Sequence, residues 1–170
     1  MKLERRMRQT RSNLDRRGAL ALALGAGAAL VTPFAMAQQA RPAMHVRRDA
    51  GCGCCLAWAE IMRRSGRFTI TVTNEADMSA VKQSLGVPLD LASCHTATVA
   101  GFVIEGHVPL DDIVRLIETR PAGVRGIAVP GMPIGSPGME QSGMGREAFA
   151  VIAFSGDGVR QVFARHPARG

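Results

Sequence analysis

Residues 44–64 read MHVRRDAGCGCCLAWAEIMRR, and this stretch predicts how the fold begins. Residues 44–48 can form a first strand, and residues 51–55 form a tight turn with two glycines and three cysteines. From residue 55 to residue 64, apolar side chains recur at spacings of three and four, which indicates a helix. A C-x-x-C pair between a strand and a helix is typical of a thioredoxin-like unit.

The chain beyond residue 64 continues to alternate between strand and helix patterns. This order predicts one α/β domain with a thioredoxin-like arrangement: a small central sheet, flanking helices and a C-terminal β-hairpin. The predicted elements are a strand at 68–72, a helix at 77–85, a strand or strand pair at 96–104, a helix at 109–118 and hairpin strands at 148–154 and 159–165.

One segment, residues 126–145, has a different composition. It reads GIAVPGMPIGSPGMEQSGMG, with six Gly, three Pro and three Met in twenty residues. Such a stretch cannot form a regular helix. We expect either a disordered loop or an irregular lid that packs over a site.

The first 37 residues have the layout of an export signal. A basic segment precedes an apolar Ala/Leu/Gly run, and small residues at 35 and 37 form an A-x-A cleavage pattern. The pair Arg16-Arg17 before the apolar run resembles a twin-arginine signal. We therefore expect residues 1–37 to be a signal peptide, 38–43 a flexible lead and 44–170 the single domain. The expected location is the periplasm, and the alternative for the apolar run is an uncleaved anchor.

Most of the excess positive charge of the chain lies in this same segment. The chain carries 21 Lys+Arg and 14 Asp+Glu, a net charge of +7 that by itself suggests a nucleic-acid binder. Seven of those basic and two of those acidic residues lie in 1–37, so the remainder has 14 and 12, or +2. Aromatic residues are only 4% of the chain and Tyr is absent, which leaves few stacking platforms for bases. We expect no nucleic-acid partner, and no stable membrane insertion once the signal is cleaved.

The four cysteines are the candidate functional residues. Cys52, Cys54 and Cys55 lie within four residues at a helix start, and Cys94 lies further along the chain beside His95. Three interpretations stay open: a metal–thiolate site, a thiol oxidoreductase that uses Cys52 and Cys55, and structural disulfides. A redox C-x-x-C pair needs only two cysteines, so the third member of the cluster favours a metal.

Thiolates are soft ligands, which points to Cu(I), with Zn(II) as the less favoured alternative. His95 and His107 are the histidines best placed to add nitrogen ligands, whereas His45 is a weaker candidate. Met132 and Met139 can add thioether ligands from the Gly/Pro segment, or can fill gaps in the core. His166 is expected to be exposed, and the basic pairs at 47–48 and 63–64 are expected to be solvated.

Four ordered motifs together carry a family resemblance: Cys52-Gly-Cys-Cys55, then SCHTA at 93–97, GHVP at 106–109, and GIAVPGMP with GSPGME across 126–140. In these motifs the chain resembles the DUF411 family of exported, CopG-like copper-resistance proteins, over about 45 to 165. The resemblance implies a thioredoxin-like fold and a copper site on Cys52, Cys54, Cys55 and Cys94, with several copper ions bridged by thiolates. Roles for His95, His107, Met132 and Met139 are inferred from position and are not implied by it.

The sequence therefore predicts a periplasmic copper-binding protein of a resistance or homeostasis system that sequesters Cu(I) on cysteine thiolates. Its expected partners are copper ions and periplasmic copper-resistance proteins. The alternatives are a thiol–disulfide or copper oxidoreductase that uses the C-x-x-C pair, and a metallochaperone that passes copper to an acceptor.

Overall fold

A computed structural model of the chain describes residues 40–170, in which seven strands form one sheet. The predicted signal peptide at 1–37 lies outside the described residues. In chain order the elements are β1 (Ala43–Arg48), α1 (Gly53–Arg64), β2 (Thr69–Asn74), α2 (Met78–Leu85), a short 3-10 turn (Leu89–Leu91), β3 (His95–Val99), β4 (Phe102–Glu105), α3 (Leu110–Thr119), β5 (Val124–Ala128), β6 (Phe149–Ser155) and β7 (Arg160–His166). This mixture of helices and strands confirms the predicted α/β class.

The strand order across the sheet is β2-β1-β3-β4-β5-β6-β7. β1 is parallel to β2 and antiparallel to β3, which is antiparallel to β4, and β4 is parallel to β5. β6 and β7 complete the sheet by antiparallel pairing. It follows that the carboxyl ends of β1, β4 and β5 and the amino end of β3 all lie at the same edge of the sheet.

Helix α1 begins two residues before its predicted start. Cys52 is the N-cap, so Cys54 and Cys55 fall in the first helical turn. The inner face of α1 buries Cys55, Trp58, Ala59 and Met62. These side chains join a core that also includes β-strand and α3 residues such as Met44, Val46, Ile104, Ile113, Leu116 and Ile127. The core thus anchors the helix whose first turn carries the cysteines.

The predicted strand at 96–104 is a strand pair. Val99 of β3 pairs with Phe102 of β4, and the two residues between them, Ala100 and Gly101, both have positive φ. Positive φ at both central positions is the requirement of a type I′ hairpin turn. Gly101 satisfies it without strain.

Strand β5 corrects the prediction for residues 126–145, because Gly126–Ala128 belong to a strand. The glycine obscured the strand pattern in the sequence. A Cβ at Gly126 would collide with the Val103 carbonyl and lie 2.7 Å from the Phe154 ring. The residue is therefore small because a neighbouring strand approaches closely.

His166 also differs from expectation, because it is not simply exposed. Its Nε2 lies 2.7 Å from the Asp112 carboxylate, and its ring stacks on Phe149 with centroids 4.7 Å apart. Arg115 binds the other oxygen of the Asp112 carboxylate at 3.1 Å. This contact ties β7 to the first turn of α3.

Within residues 40–170, none of the helices is long and apolar enough to cross a bilayer.

Candidate metal centre

Four chain segments meet at the sheet edge described above. The turn 49–52 follows β1, Ser93-Cys94 precedes β3, Gly106-His107 follows β4, and the segment 129–140 follows β5. Because these segments leave adjacent strand ends, residues far apart in sequence converge on one place. The convergence brings Cys94 beside the cysteines of α1.

The four cysteines form one cluster. The sulfurs of Cys52, Cys54, Cys55 and Cys94 all lie within 4.8 Å of one another. In this structure Cys52 and Cys55 are joined by a disulfide, whereas Cys54 and Cys94 are free thiols. The Cys54 sulfur lies 3.4 Å from that of Cys52. The cysteines of the first motif and Cys94 of the second are therefore neighbours in space. Two of the four are free thiols, because the other two form the disulfide.

Cys94 also belongs to a second group, with two histidines. Its sulfur lies 3.3 Å from His95 Nδ1 and 3.0 Å from His107 Nε2. His107 Nδ1 lies 2.7 Å from the Pro137 carbonyl, which can only accept a hydrogen bond. Nδ1 therefore carries the proton, and the lone pair of His107 Nε2 faces the Cys94 thiol. A nitrogen lone pair in this position can accept the thiol proton or bind a metal beside the sulfur.

His95 is fully buried beneath the cluster. Its ring lies 4.5 Å from the ring of Trp58, which donates a hydrogen bond to the Val108 carbonyl at 2.9 Å. Among the described residues, Nε2 of His95 is a buried polar atom without a hydrogen-bond partner. Leaving such an atom unpaired costs about 1–3 kcal/mol. The imidazole is thus held close to the sulfurs at a cost in stability.

Burial sets the protonation of this group. Burial raises the pKa of the Cys94 thiol to about 12, and the charge of the neighbouring Cys54 acts in the same direction. Burial also lowers the pKa of both His95 and His107, so that the imidazoles are neutral at pH 7. Neutral imidazole is the form that binds metals, while a thiol at Cys94 must release its proton to do so.

Arg48 holds the cysteine turn in place. Its guanidinium donates to the carbonyls of Asp49 at 2.8 Å, Cys52 at 2.6 Å and Ala50 at 3.1 Å. The side chain is only 5% exposed, so the prediction that the pair at 47–48 is solvated is wrong for Arg48. In the sequence, Arg48 is only one of two adjacent basic residues. That three backbone carbonyls of the turn surround its guanidinium is visible only in the structure.

A buried ion pair holds the Cys94 loop, and sequence reasoning missed it. Glu105 is fully buried, and its Oε1 accepts from Lys82 Nζ at 2.6 Å and from the Ser93 backbone N–H at 2.6 Å. Its Oε2 accepts from the Thr96 hydroxyl at 2.7 Å. The carboxylate thereby binds the chain on both sides of Cys94. Ser93 and Thr96 belong to the SCHTA motif, but no motif marks Lys82 or Glu105, which come from α2 and β4.

The segment 129–140 packs over the cluster, in keeping with the irregular lid and not the disordered loop. Ser93 forms a β-bridge with Gly131, and its hydroxyl donates to the Gly131 carbonyl. At Gly138, a Cβ would lie only 2.8 Å from the backbone nitrogen of Trp58. Together with the histidine contact described above, these contacts place this segment against the Cys94 loop and the first two turns of α1.

The other predicted candidates are two methionines of segment 129–140 and one histidine of β1. Met132 is 52% exposed and Met139 is half-buried in a turn, and their roles as ligands stay predictions. His45 binds the Thr73 hydroxyl at 2.7 Å on neighbouring strands.

A substitution at Gly138 tests the packing of the lid. Gly138→Ala is expected to destabilise the fold by about 2 kcal/mol more than Gly143→Ala, because only at Gly138 does the new methyl group meet backbone atoms of α1. Gly143 is a matched control, since its φ of 78° is close to the 83° of Gly138 and a Cβ there meets open space. Urea unfolding of both variants measures the difference. Equal losses would mean that the lid does not press on the helix.

Comparison with known proteins places the chain among relatives. Residues 91–139, which include Cys94 and both histidines of the second group, match the family model described as "Protein of unknown function, DUF411". Two solved structures, named "Copper resistance protein copG" form 1 and form 2, are 46% and 45% identical to the chain. Each match covers 74% of this chain and 97% or 98% of the other, with TM-scores of 0.68 and 0.69. No curated protein matches the chain.

Proposed function

The chain belongs to the DUF411 family of CopG-like copper-resistance proteins, and from this premise we propose that it binds copper as Cu(I) on cysteine thiolates. The observation that carries the proposal is the convergence of four cysteine sulfurs within 4.8 Å. A site built from thiolates favours soft monovalent copper over hard cations. Because the sulfurs are close enough to share ions, the proposal includes a cluster of several copper ions bridged by thiolates.

The residues that hold the copper in this proposal divide into two sets. Cys52, Cys54 and Cys55 supply sulfurs from the start of α1, where the helix amides favour negative charge. Cys94 completes the sulfur set. His95 and His107 supply neutral nitrogens beside it, while Met132 and Met139 are further candidates on the lid. A set of soft sulfurs with two imidazoles fits copper, and also fits zinc less specifically.

The physiological role that we propose is sequestration in the periplasm. Residues 1–37 act as the export signal, residues 38–43 form the flexible lead, and the domain at 44–170 takes up copper. The lid segment 129–140 limits the access of solvent to the thiolates. We further propose that the domain is thioredoxin-like, a reading supported by a C-x-x-C pair at a helix start after a strand of a β1-α1-β2 unit with parallel strands.

One observation favours a second candidate function. The Cys52–Cys55 disulfide at the start of α1 is the arrangement of a thiol–disulfide oxidoreductase. In that case the pair would exchange electrons with a substrate thiol, and the metal would be secondary. Turnover of a disulfide substrate by the metal-free protein would favour this candidate.

Metal analysis of the purified protein tests the main proposal. The reduced protein, loaded with copper without oxygen and desalted, is expected to retain copper, while a variant with all four cysteines changed to serine retains none. Elemental analysis, combined with titration of free thiols, gives the metal per chain and the number of sulfurs used. Copper near zero, or zinc retained in preference to copper when both are offered, would contradict the proposal.

A further inference from the structure

The Cys52–Cys55 disulfide withdraws two of the four sulfurs from the candidate metal centre. Only Cys54 and Cys94 remain as free thiols. A metal binds the thiolate form of cysteine, and sulfurs joined in a disulfide have no thiolate to offer. The closed disulfide and the complete four-sulfur site therefore exclude each other.

We propose that this disulfide is a redox gate: the centre takes up its full load of copper only after an external dithiol, the chemical class of partner that opens it, has reduced Cys52–Cys55. The inference rests on the proposed function and adds its regulation and its electron donor. The disulfide then acts as a switch on metal loading, and not as the active group of an oxidoreductase that turns over a substrate.

The backbone of the turn is held independently of the disulfide. Arg48 binds the carbonyls of residues 49, 50 and 52, the Cys52 N–H donates to the Asp49 carbonyl at 3.1 Å, and the Gly51 N–H donates to the Asp49 carboxylate at 2.7 Å. These five bonds do not involve sulfur. Opening the disulfide thus frees two thiolates while the turn keeps the cysteine Cα atoms, which are 5.5 Å apart, in position.

Exposure decides which sulfur the reductant reaches. Cys55 is fully buried, whereas Cys52 is half-buried between the exposed residues Gly51 and Gly53. An incoming thiolate attacks the Cys52 sulfur, the Cys52–Cys55 bond breaks, and Cys55 leaves as a thiolate at the N-terminus of the helix. Leu56, the residue after Cys55, is exposed and offers an apolar contact to a partner.

The exchange balances as a two-electron reduction. The first thiolate of the dithiol forms a mixed disulfide with Cys52. The second thiolate of the dithiol then attacks the dithiol's other sulfur, the one that is bonded to Cys52. Cys52 is released as a thiolate and the dithiol becomes a disulfide. The two protons of the dithiol go to the solvent when copper binds the freed thiolates. When no copper binds, the protons go to Cys52 and Cys55, which become thiols.

Copper binding by the two redox forms of the same chain tests the gate. The oxidised form is prepared so that mass mapping shows the Cys52–Cys55 bond and titration shows two free thiols, and the reduced form is prepared with dithiothreitol. Each is titrated without oxygen with Cu(I) against a chromophoric Cu(I) chelator. We expect the oxidised form to retain about half the copper of the reduced form, because two of four thiolates are missing, and dithiothreitol to restore the rest.

The double variant Cys52→Ser/Cys55→Ser is the matched control. It cannot form the gate, so its copper binding is expected to match that of the oxidised wild type and to stay unchanged by the oxidation step. If the oxidised wild type bound clearly less copper than the reduced double variant, the loss would involve Cys54 and Cys94, and the gate would be wrong.

The remaining outcomes separate the two proposals. Equal copper loading of oxidised and reduced wild type overturns the gate and leaves the proposed function standing. Failure of the reduced wild type to bind copper overturns the proposed function, and the gate with it.

Discussion

Replacing Cys94 by serine is expected to weaken the Cu(I) affinity of the reduced protein by at least about 100-fold, since losing even an outer-shell partner of a metal ligand costs about 10–100-fold. Cys94 is the one sulfur that belongs to both groups of the centre. Its loss removes the fourth thiolate from the cluster and also separates the two histidines from any sulfur. Serine has nearly the same shape, so the fold is expected to stay intact.

The comparison variant is Cys54→Ser, which removes a sulfur that belongs only to the four-cysteine group. We expect its loss of affinity to be clearly smaller than that of Cys94→Ser. Competition with a Cu(I) chelator gives both affinities, and urea unfolding of the copper-free variants shows whether either one has lost stability. Equal affinities for the two variants would show that Cys94 does not link the sulfur and nitrogen ligands.

The second large effect concerns the buried pair that holds the Cys94 loop. Lys82→Met is expected to destabilise the fold by about 3–5 kcal/mol at pH 8, the usual cost of leaving one partner of a buried ion pair alone. Glu105 is fully buried and would lose its only cation within hydrogen-bond distance among the described residues. Urea unfolding of the variant and the wild type measures the difference.

The pH dependence of that loss identifies its cause. Burial raises the pKa of Glu105 above its ordinary value of 4.5, and the Lys82 cation opposes the rise. Without Lys82, the folded-state pKa rises further above the unfolded-state value. A raised carboxyl pKa destabilises the fold fully above the folded-state pKa, and the cost fades as the pH falls toward the unfolded-state value. The loss relative to the wild type should therefore shrink between pH 8 and pH 5.

The double variant Lys82→Met/Glu105→Gln is the control, because it removes both charges and keeps an acceptor for the Ser93 N–H. It should recover most of the stability at pH 8 and lose the pH dependence. A loss of the same size at every pH, with no recovery in the double variant, would show that packing of the Lys82 stem matters and the charge pair does not.

Much of the architecture followed from local patterns. The helices at 77–85 and 109–118 and the hairpin at 148–165 were predicted because each has its own apolar periodicity and end signals. Strand β5 was missed because Gly126 interrupts a five-residue strand, and only the neighbouring strand shows why a glycine is required there. The alternating pattern at 96–104 left one strand and a pair open, and the turn geometry decided for a pair.

The candidate site divides in the same way. Cys52, Cys54 and Cys55 are adjacent in sequence, so their clustering needed only a tight turn before a helix. The positions that support them were not predictable, since Glu105 and Lys82 meet across 23 residues and carry no spacing signal. Arg48 was predicted to be solvated for a similar reason. Its burial depends on the backbone carbonyls around its guanidinium, and the sequence does not show those contacts.

The sequence by itself determined which residues are candidates for the proposed chemistry, because sulfur and imidazole have properties that do not depend on the fold. It also determined the α/β class, since hydrophobic periodicity reflects which face of each element is buried. Only the tertiary structure decided that Cys94 joins the other three cysteines and that two histidines flank it. It did so because antiparallel and parallel pairing bring the ends of β1, β3, β4 and β5 to one edge, and contacts between distant segments depend on strand order and not on local pattern.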